Sequence, residues 1–222
     1  NNTIYFSSEI KPLKNIFEFN LNEEKIIEFC VFGNLAGEDT LIKNVKQINS
    51  GEFIEVDHNI NLKKNLYFDV RETFYNSKKK NFIPDIHKSL IDSVKMHTIS
   101  DVGYATQLSG GLDSSLITAM TSKINSKKNK IHTYSVTLKN KNMNEKKYQD
   151  IVSKKYKTVH HGLECKPKMI SKNLKKCIWM YDYPLHHPNI IPSFLMNKLA
   201  SKNKVKVILS GDGADEIFEG YK

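Results

Sequence analysis

Two short stretches of this chain concentrate the residue types that handle phosphate and metal. The first, Leu108-Ser109-Gly110-Gly111-Leu112-Asp113-Ser114-Ser115, joins a pair of glycines to three serines and an aspartate. Adjacent glycines admit positive φ and let backbone N–H groups approach an anion, while the serine hydroxyls offer donors to the same oxygens. Asp113 would repel bare phosphate, so its presence makes sense when Mg2+ bridges the carboxylate and phosphate oxygens, and the mixture predicts ATP with magnesium. The second stretch, Ser210-Gly211-Asp212-Gly213-Ala214-Asp215-Glu216, follows a hundred residues later and crowds three carboxylates together. Like charges so close repel unless a cation or a donor sits among them, so this stretch also implies a metal.

Other phosphate and metal chemistries fit less well. The spacing GxxxxGK(S/T) is absent, as is GxGxxG, which removes the main support for kinase, GTPase or dehydrogenase readings. An EF-hand needs acidic residues at alternate positions with a distant glutamate, and the second stretch lacks that spacing. His160 and His161 are adjacent in a predicted strand, so they point to opposite faces and cannot chelate one ion together. One is expected to be buried and hydrogen-bonded, the other at the surface.

The elements that must hold these stretches are legible from hydrophobic period. Residues 85–97 place Ile86, Leu90, Ile91 and Val94 on one helical face, and residues 102–108 read as a strand. There follow a helix at 114–123, a strand at 131–136, a helix at 144–156, a strand at 158–163, helices at 169–180 and 193–200, and a strand at 204–209. Such alternation predicts an α/β fold, a parallel sheet with helices on both faces. Both stretches then leave the carboxyl end of a strand, where helix N-termini with free N–H groups favour phosphate.

A break in pattern falls at residues 76–81, polar and without hydrophobic period, and divides the chain into residues 1–75 and 84–222. The first part reads as strands at 3–7 and 53–56 and a helix at 23–32, too little to close a core of its own. An apolar fraction of 39% and a charged fraction of 26%, with no run of membrane-span length, describe a soluble chain with no membrane partner. The start at Asn1, without methionine or signal-like run, reads as an interior segment. Cys30, Cys165 and Cys177 show no paired spacing, which predicts reduced thiols and a cytoplasmic location. The net charge of +10 raises the question of nucleic acid. Arg71 is the only arginine, and the runs Lys78-Lys79-Lys80 and Lys127-Lys128 lie in predicted loops without interleaved aromatics, so no nucleic-acid partner is expected.

With both stretches in view, a resemblance becomes specific. Leu108 to Ser115 resembles the SGGLDSS pyrophosphate loop of the asparagine synthetase (glutamine-hydrolysing) family, and Ser210 to Tyr221 resembles its SG(E/D)GADE(L/I)FGGY motif, in the same order. Between them, Tyr134-Ser135-Val136 is similar to the family's adenine-contacting strand, Asn144-Glu145 to Tyr148 to its acidic helix start, and Thr158-Val159-His160-His161 to its strand with paired histidines. Phe6-Ser7-Ser8-Glu9-Ile10-Lys11 resembles FASEIKAL, late in the family's glutaminase domain, and Phe32-Gly33 and Gly51-Glu52-Phe53 fit its end.

The resemblance implies a PP-loop ATPase fold of the adenine nucleotide alpha hydrolase type over residues 84–222. Residues 1–75 would be the C-terminal part of an N-terminal-nucleophile glutaminase domain with its linker. Carried over residue by residue, it puts Ser109, Gly110, Gly111, Ser114 and Ser115 on the pyrophosphate and Leu108 and Val136 against the adenine. Ser210 and Gly211 also meet the nucleotide, Asp113 and Asp215 hold Mg2+, and Asp212 occupies the position linked to forming the acyl-adenylate. The implied substrates are ATP, aspartate or another small carboxylate, and ammonia from glutamine, in a homodimer. AMP and pyrophosphate are the implied products. Glu219 stands where the family usually has glycine, and residues 182–189 resemble divergent members, so a specialised amidotransferase acting on another carboxylate is an alternative. The family's glutaminase cysteine and late lysine match no residue here: Cys30 is not N-terminal and Lys222 is too near the second motif. A fragment that binds ATP without turnover is the remaining alternative.

Overall fold

The computed structural model describes residues 3–75, 83–125, 130–138, 145–187 and 189–220. The break at 76–81, the lysine runs, Asn144, Pro188, Tyr221 and Lys222 lie outside the described residues. The chain forms two compact units, one of Asn1–Lys80 with Ile178–His186, the other of Asn81–Cys177 with His187–Lys222. Among the described residues no helix is long and apolar enough to cross a membrane.

In the first unit a short 3-10 helix at Lys11–Asn15 precedes α1 (Glu23–Phe32). Gly33 ends α1 in the left-handed region at φ 69°, its N–H donating to the Phe29 carbonyl at 2.8 Å, a termination open to glycine at no steric cost. β1 (Glu52–Val56) pairs antiparallel with β2 (Leu62–Leu66), and α2 spans Val70–Tyr75. Residues 3–7 do not form the expected strand, and Phe6 is 92% exposed. A strand needs a partner edge as well as an alternating pattern, and none pairs with this segment among the described residues. β2 went unread because Leu62-Lys63-Lys64-Asn65-Leu66 has no β-branched residue; pairing with β1 makes it a strand.

Phe29, Leu35 and Val45 are buried in this unit, as is Thr40, whose hydroxyl donates to the Val45 carbonyl at 2.9 Å. Residues 178–186 complete it. Asp182, at φ 61°, accepts from the Ile10 N–H at 2.9 Å and from Lys11 Nζ at 2.6 Å, and the rings of Tyr183 and His186 lie 6.0 and 5.9 Å from that of Phe29. The Asp182 carboxylate raises the Lys11 pKa above its ordinary value.

In the second unit, α3 (Ile83–His97) leads into β3 (Tyr104–Gln107), α4 (Leu112–Ile124), β4 (His132–Leu138), α5 (Lys146–Tyr156) and β5 (Val159–Cys165). Helices α6 (Pro167–Tyr181), whose residues from Ile178 onward belong to the first unit, and α7 (Ile190–Lys202) precede β6 (Val207–Leu209) and α8 (Ala214–Phe218). The four strands are parallel in the order β5-β4-β3-β6, flanked by helices as the alternation predicts. β6 is shorter than expected because Lys204 takes φ 63° just after α7 ends, which delays the extended run. α8 was not anticipated; five residues are too few to show a helical period.

Register divides the sheet into two faces. Ala105 and Tyr134 pack against Met196 and Ala200 of α7, with Val136 and Ile208 beside them. The intervening residues Thr106, Thr133 and Ser135 point the other way, toward α4 and α5, because side chains alternate along a strand. The helices therefore cover both faces, α7 on one and α4 and α5 on the other.

Candidate functional site

The chain enters the sheet at β3, adds β4 and β5 on one side, then crosses back to add β6 on the other side of β3. The strand order reverses at this β3–β6 pair, and the crevice at the carboxyl ends of strands at such a point is the usual ligand site of such sheets. Both phosphate-type stretches leave these two strands.

The first loop is braced from within. The Ser109 and Ser114 hydroxyl oxygens lie 2.8 Å apart, the Ser109 N–H donates to Ser114 Oγ at 3.2 Å, and the Gly111 N–H donates to Ser109 Oγ at 3.2 Å. Ser115 Oγ donates to the Gly111 carbonyl at 2.6 Å. α4 begins at Leu112 with Gly111 as its N-cap and no side-chain cap, so no capping side chain takes up the amides of its first turn. Gly110 takes φ 102°, and a Cβ there would sit 2.9 Å from both Cβ and the carbonyl oxygen of Glu145. This turn requires glycine on conformational and on spatial grounds.

The two loops meet. A Cβ on Gly211 would lie 2.9 Å from Asp113 Cβ and 3.0 Å from the Ser114 nitrogen, so the backbone of the second loop rests directly on the first turn of α4. Ser210 Oγ donates to Asp212 Oδ2 at 2.9 Å, and Gly213 turns the chain at φ 89° into α8. Asp113 and Asp215 are both half-buried, and the Asp215 carboxylate lies against the Gly220 backbone, which leaves no room for a side chain at that position. Glu219 ends α8 at φ 56°, a left-handed conformation that favours glycine.

Leu108 is fully buried, its N–H donating to the Tyr134 carbonyl at 2.8 Å. It fixes where β3 ends and offers no surface of its own. Val136 is half-buried on the α7 face, beside Tyr134. Thus Ser109, Gly110, Gly111, Asp113, Ser114 and Ser115 form one loop with Ser210 and Gly211 against it. No group of three or more metal-type side chains occurs among the described residues. Asp113 and Asp215 are oxygen donors, the ligand type that magnesium takes together with phosphate oxygens and water.

His160 and His161 do face opposite sides, and both are bonded. His160 Nδ1 is 2.9 Å from Thr133 Oγ1 and its Nε2 3.2 Å from Ser135 Oγ; burial holds its pKa below the ordinary imidazole value. Neither histidine lies at the surface: His161 is half-buried like His160 and stacks on Tyr134 at 4.7 Å, with its Nε2 3.0 Å from His132 Nδ1. Burial first, then His132, lowers its pKa too. Gln149 was overlooked: it is 2% exposed and donates from Nε2 to the Ser109 carbonyl at 2.8 Å. Its sequence neighbourhood, Lys146-Lys147-Tyr148-Gln149-Asp150, reads as a solvated helix face and carries no signal of burial.

Comparison with known proteins adds an independent line. A family model described as asparagine synthase matches residues 85–222. Asparagine synthetase (glutamine-hydrolyzing) 1 of Bacillus subtilis is 29% identical over 229 residues, covering 100% of this chain and 34% of its own length. A Methanocaldococcus jannaschii protein, provisionally named asparagine synthetase (glutamine-hydrolyzing) 2, is 30% identical over 225 residues, 99% of this chain and 43% of its own. Asparagine synthetase B (glutamine-hydrolyzing) of Escherichia coli is 31% identical over 151 residues, 62% of this chain and 27% of its own. The chain spans less than half the length of these curated relatives.

Proposed function

The chain belongs to the asparagine synthase family, and on that premise we propose that it supplies the ATP site at which a carboxylate is adenylated before amide formation. The observation that carries this reading is the seating of Gly211 on Asp113 and Ser114, which unites two phosphate-type loops at the carboxyl ends of adjacent parallel strands. The first-turn amides of α4 and the N–H of Gly110 suit the pyrophosphate, with Ser109, Ser114 and Ser115 bracing the turn and Ser210 and Gly211 closing the other side. Val136 lies on the strand that would meet the adenine.

In the proposed reaction the side-chain carboxylate of aspartate attacks the α-phosphorus of ATP, pyrophosphate leaves, and ammonia derived from glutamine then displaces AMP. Fixed N–H donors aimed at the leaving oxygens favour this step because they need no reorganisation as charge develops. Asp113 and Asp215 would hold Mg2+, which when bound neutralises phosphate charge. Asp212, which accepts from the Ser210 hydroxyl, would take part in forming the acyl-adenylate. We further propose that residues 1–75 are the end of a glutaminase domain, on the resemblance of residues 6–11 and 51–53.

Calorimetric titration of the chain with Mg-ATP tests the nucleotide site. Asp113→Asn is expected to weaken Mg-ATP binding about tenfold or more while metal-free ATP binding changes little, since the lost carboxylate acts through the ion. Equal losses for both forms would refute the metal role. Gly211→Ala, which forces a methyl group onto the α4 backbone, is expected to abolish binding by parting the loops, and retained affinity would remove the observation on which the reading stands.

A further inference from the structure

We propose that Gln149 is a positioning residue for the phosphate loop: it pins the Ser109 carbonyl to α5 and so turns the Gly110 N–H outward as an anion donor. The inference rests on the nucleotide reading for its consequence and on its own geometry for the tether. Gln149 is buried among side chains of the strand-facing side, with both ends of its amide engaged, the Ser109 carbonyl at 2.8 Å and Ser135 Oγ at 3.1 Å.

The direction of every bond in this chain is forced. A carbonyl oxygen only accepts, so the Gln149 amide nitrogen must face Ser109 and its oxygen must face Ser135. Ser135 spends its one proton on Gln149 Oε1, so its oxygen must accept from His160 Nε2–H at 3.2 Å. The neutral ring then accepts at Nδ1 from Thr133 Oγ1 at 2.9 Å. The loop carbonyl therefore sets the polarity of a buried relay that runs across β4 to β5, anchored on rigid strands.

The consequence for the loop follows from peptide planarity. The described peptide bonds are all trans, and in a trans peptide the carbonyl and the next N–H point in opposite directions. With the Ser109 carbonyl drawn inward to Gln149, the Gly110 N–H is directed away from α5. Gly110 at φ 102° is freely rotatable by its own chemistry, so without the tether the Ser109–Gly110 peptide can flip and present the carbonyl, which repels phosphate.

Two measurements on the whole chain test this, Mg-ATP affinity and, without nucleotide, hydrogen exchange of the loop amides of Ser109 and Gly111, which donate to Ser114 Oγ and Ser109 Oγ. Gln149→Leu is expected to weaken Mg-ATP binding about tenfold and to speed loop exchange by a similar factor, with α7 amides unaffected. Gln149→Glu supplies the discriminating readout, because a protonated glutamic acid can donate to Ser109 and accept from Ser135 whereas the carboxylate cannot donate. Its affinity, divided by that of the unaltered chain at the same pH, is expected to fall as pH rises through the titration of that new group. Should Gln149→Leu fail to fold, Ser135→Ala removes the donor to Gln149 more gently and is expected to shift both readouts in the same direction. Unaltered loop exchange in the folded variants overturns the tether, whether or not ATP binds. An unaltered chain that binds no Mg-ATP refutes the nucleotide reading instead, and faster loop exchange in Gln149→Leu would then still sustain the tether. Binding in the unaltered chain that the variants match, with no pH trend in Gln149→Glu, overturns the positioning role and leaves the nucleotide reading standing.

Discussion

On one face of the sheet Ala105 and Tyr134 meet Met196 and Ala200 of α7, an apolar contact without direction. On the other, Thr106 bonds to Thr118 of α4 at 3.0 Å, and Thr133, Ser135, His160 and Gln149 join in a hydrogen-bonded relay toward the Ser109 loop. Both faces are buried, yet only the second is hydrogen-bonded to the Ser109 loop. Apolar packing rewards area and tolerates small rotations, whereas a hydrogen bond between buried groups fixes an angle and is costly to leave unmade. The contrast suggests a division of labour, with the α7 face holding the unit together and the α4 and α5 face aiming the loop.

The sharpest way to break this comparison is to damage the apolar face. Met196→Ala is expected to cost about 2 to 5 kcal/mol of stability in denaturant unfolding, as large-to-small core changes do. Mg-ATP affinity measured where the variant remains folded should stay close to that of the unaltered chain. A tenfold loss of affinity would show that the two faces do not act separately.

Thr118→Val probes the polar face directly. It removes the partner of a fully buried Thr106 hydroxyl and is expected to destabilise by about 1 to 3 kcal/mol in the same unfolding measurement. Thr121 gives the matched control, one turn along α4 and equally buried, because its hydroxyl has no hydrogen-bond partner among the described residues. Thr121→Val should be neutral or stabilising by up to about 1 kcal/mol. Equal costs for the two substitutions would mean that shape, not hydrogen bonding, governs this face.

The smallest expected effect is a pH dependence carried by the relay. Burial depresses the pKa of His160 in the folded chain, and to this Asp150 is opposed. The unfolded chain then takes up the proton first, so stability is full above the ordinary imidazole value of about 6.5 and declines as pH falls through it. His161 contributes in the same sense. His160→Asn should flatten part of that decline in unfolding curves taken between neutral and mildly acid pH, and an unchanged slope would place the titration elsewhere.

The comparison also explains what could be read in advance. The apolar period of residues 85–97 and the strand patterns before each loop announced the α/β order, since repeating burial leaves a repeating sequence. The polar face left no such trace. Thr106, Thr133, Ser135 and Gln149 look like surface residues until register and crossover place them inside. In the first unit the α1 bounds match the expected helix, because Gly33 supplies a local stop, whereas residues 3–7 and 62–66 misled because strand formation depends on a distant partner.

By itself the sequence determined the chemistry of the two loops and the types of most elements around them. Paired glycines, serines and aspartates act through properties that each residue carries wherever it stands. Only the tertiary structure decided that β6 returns beside β3, that Gly211 rests on Asp113, and that Gln149 reaches Ser109. Strand order and buried hydrogen bonds join residues tens to a hundred positions apart, and a local pattern holds no record of which distant partner will satisfy it.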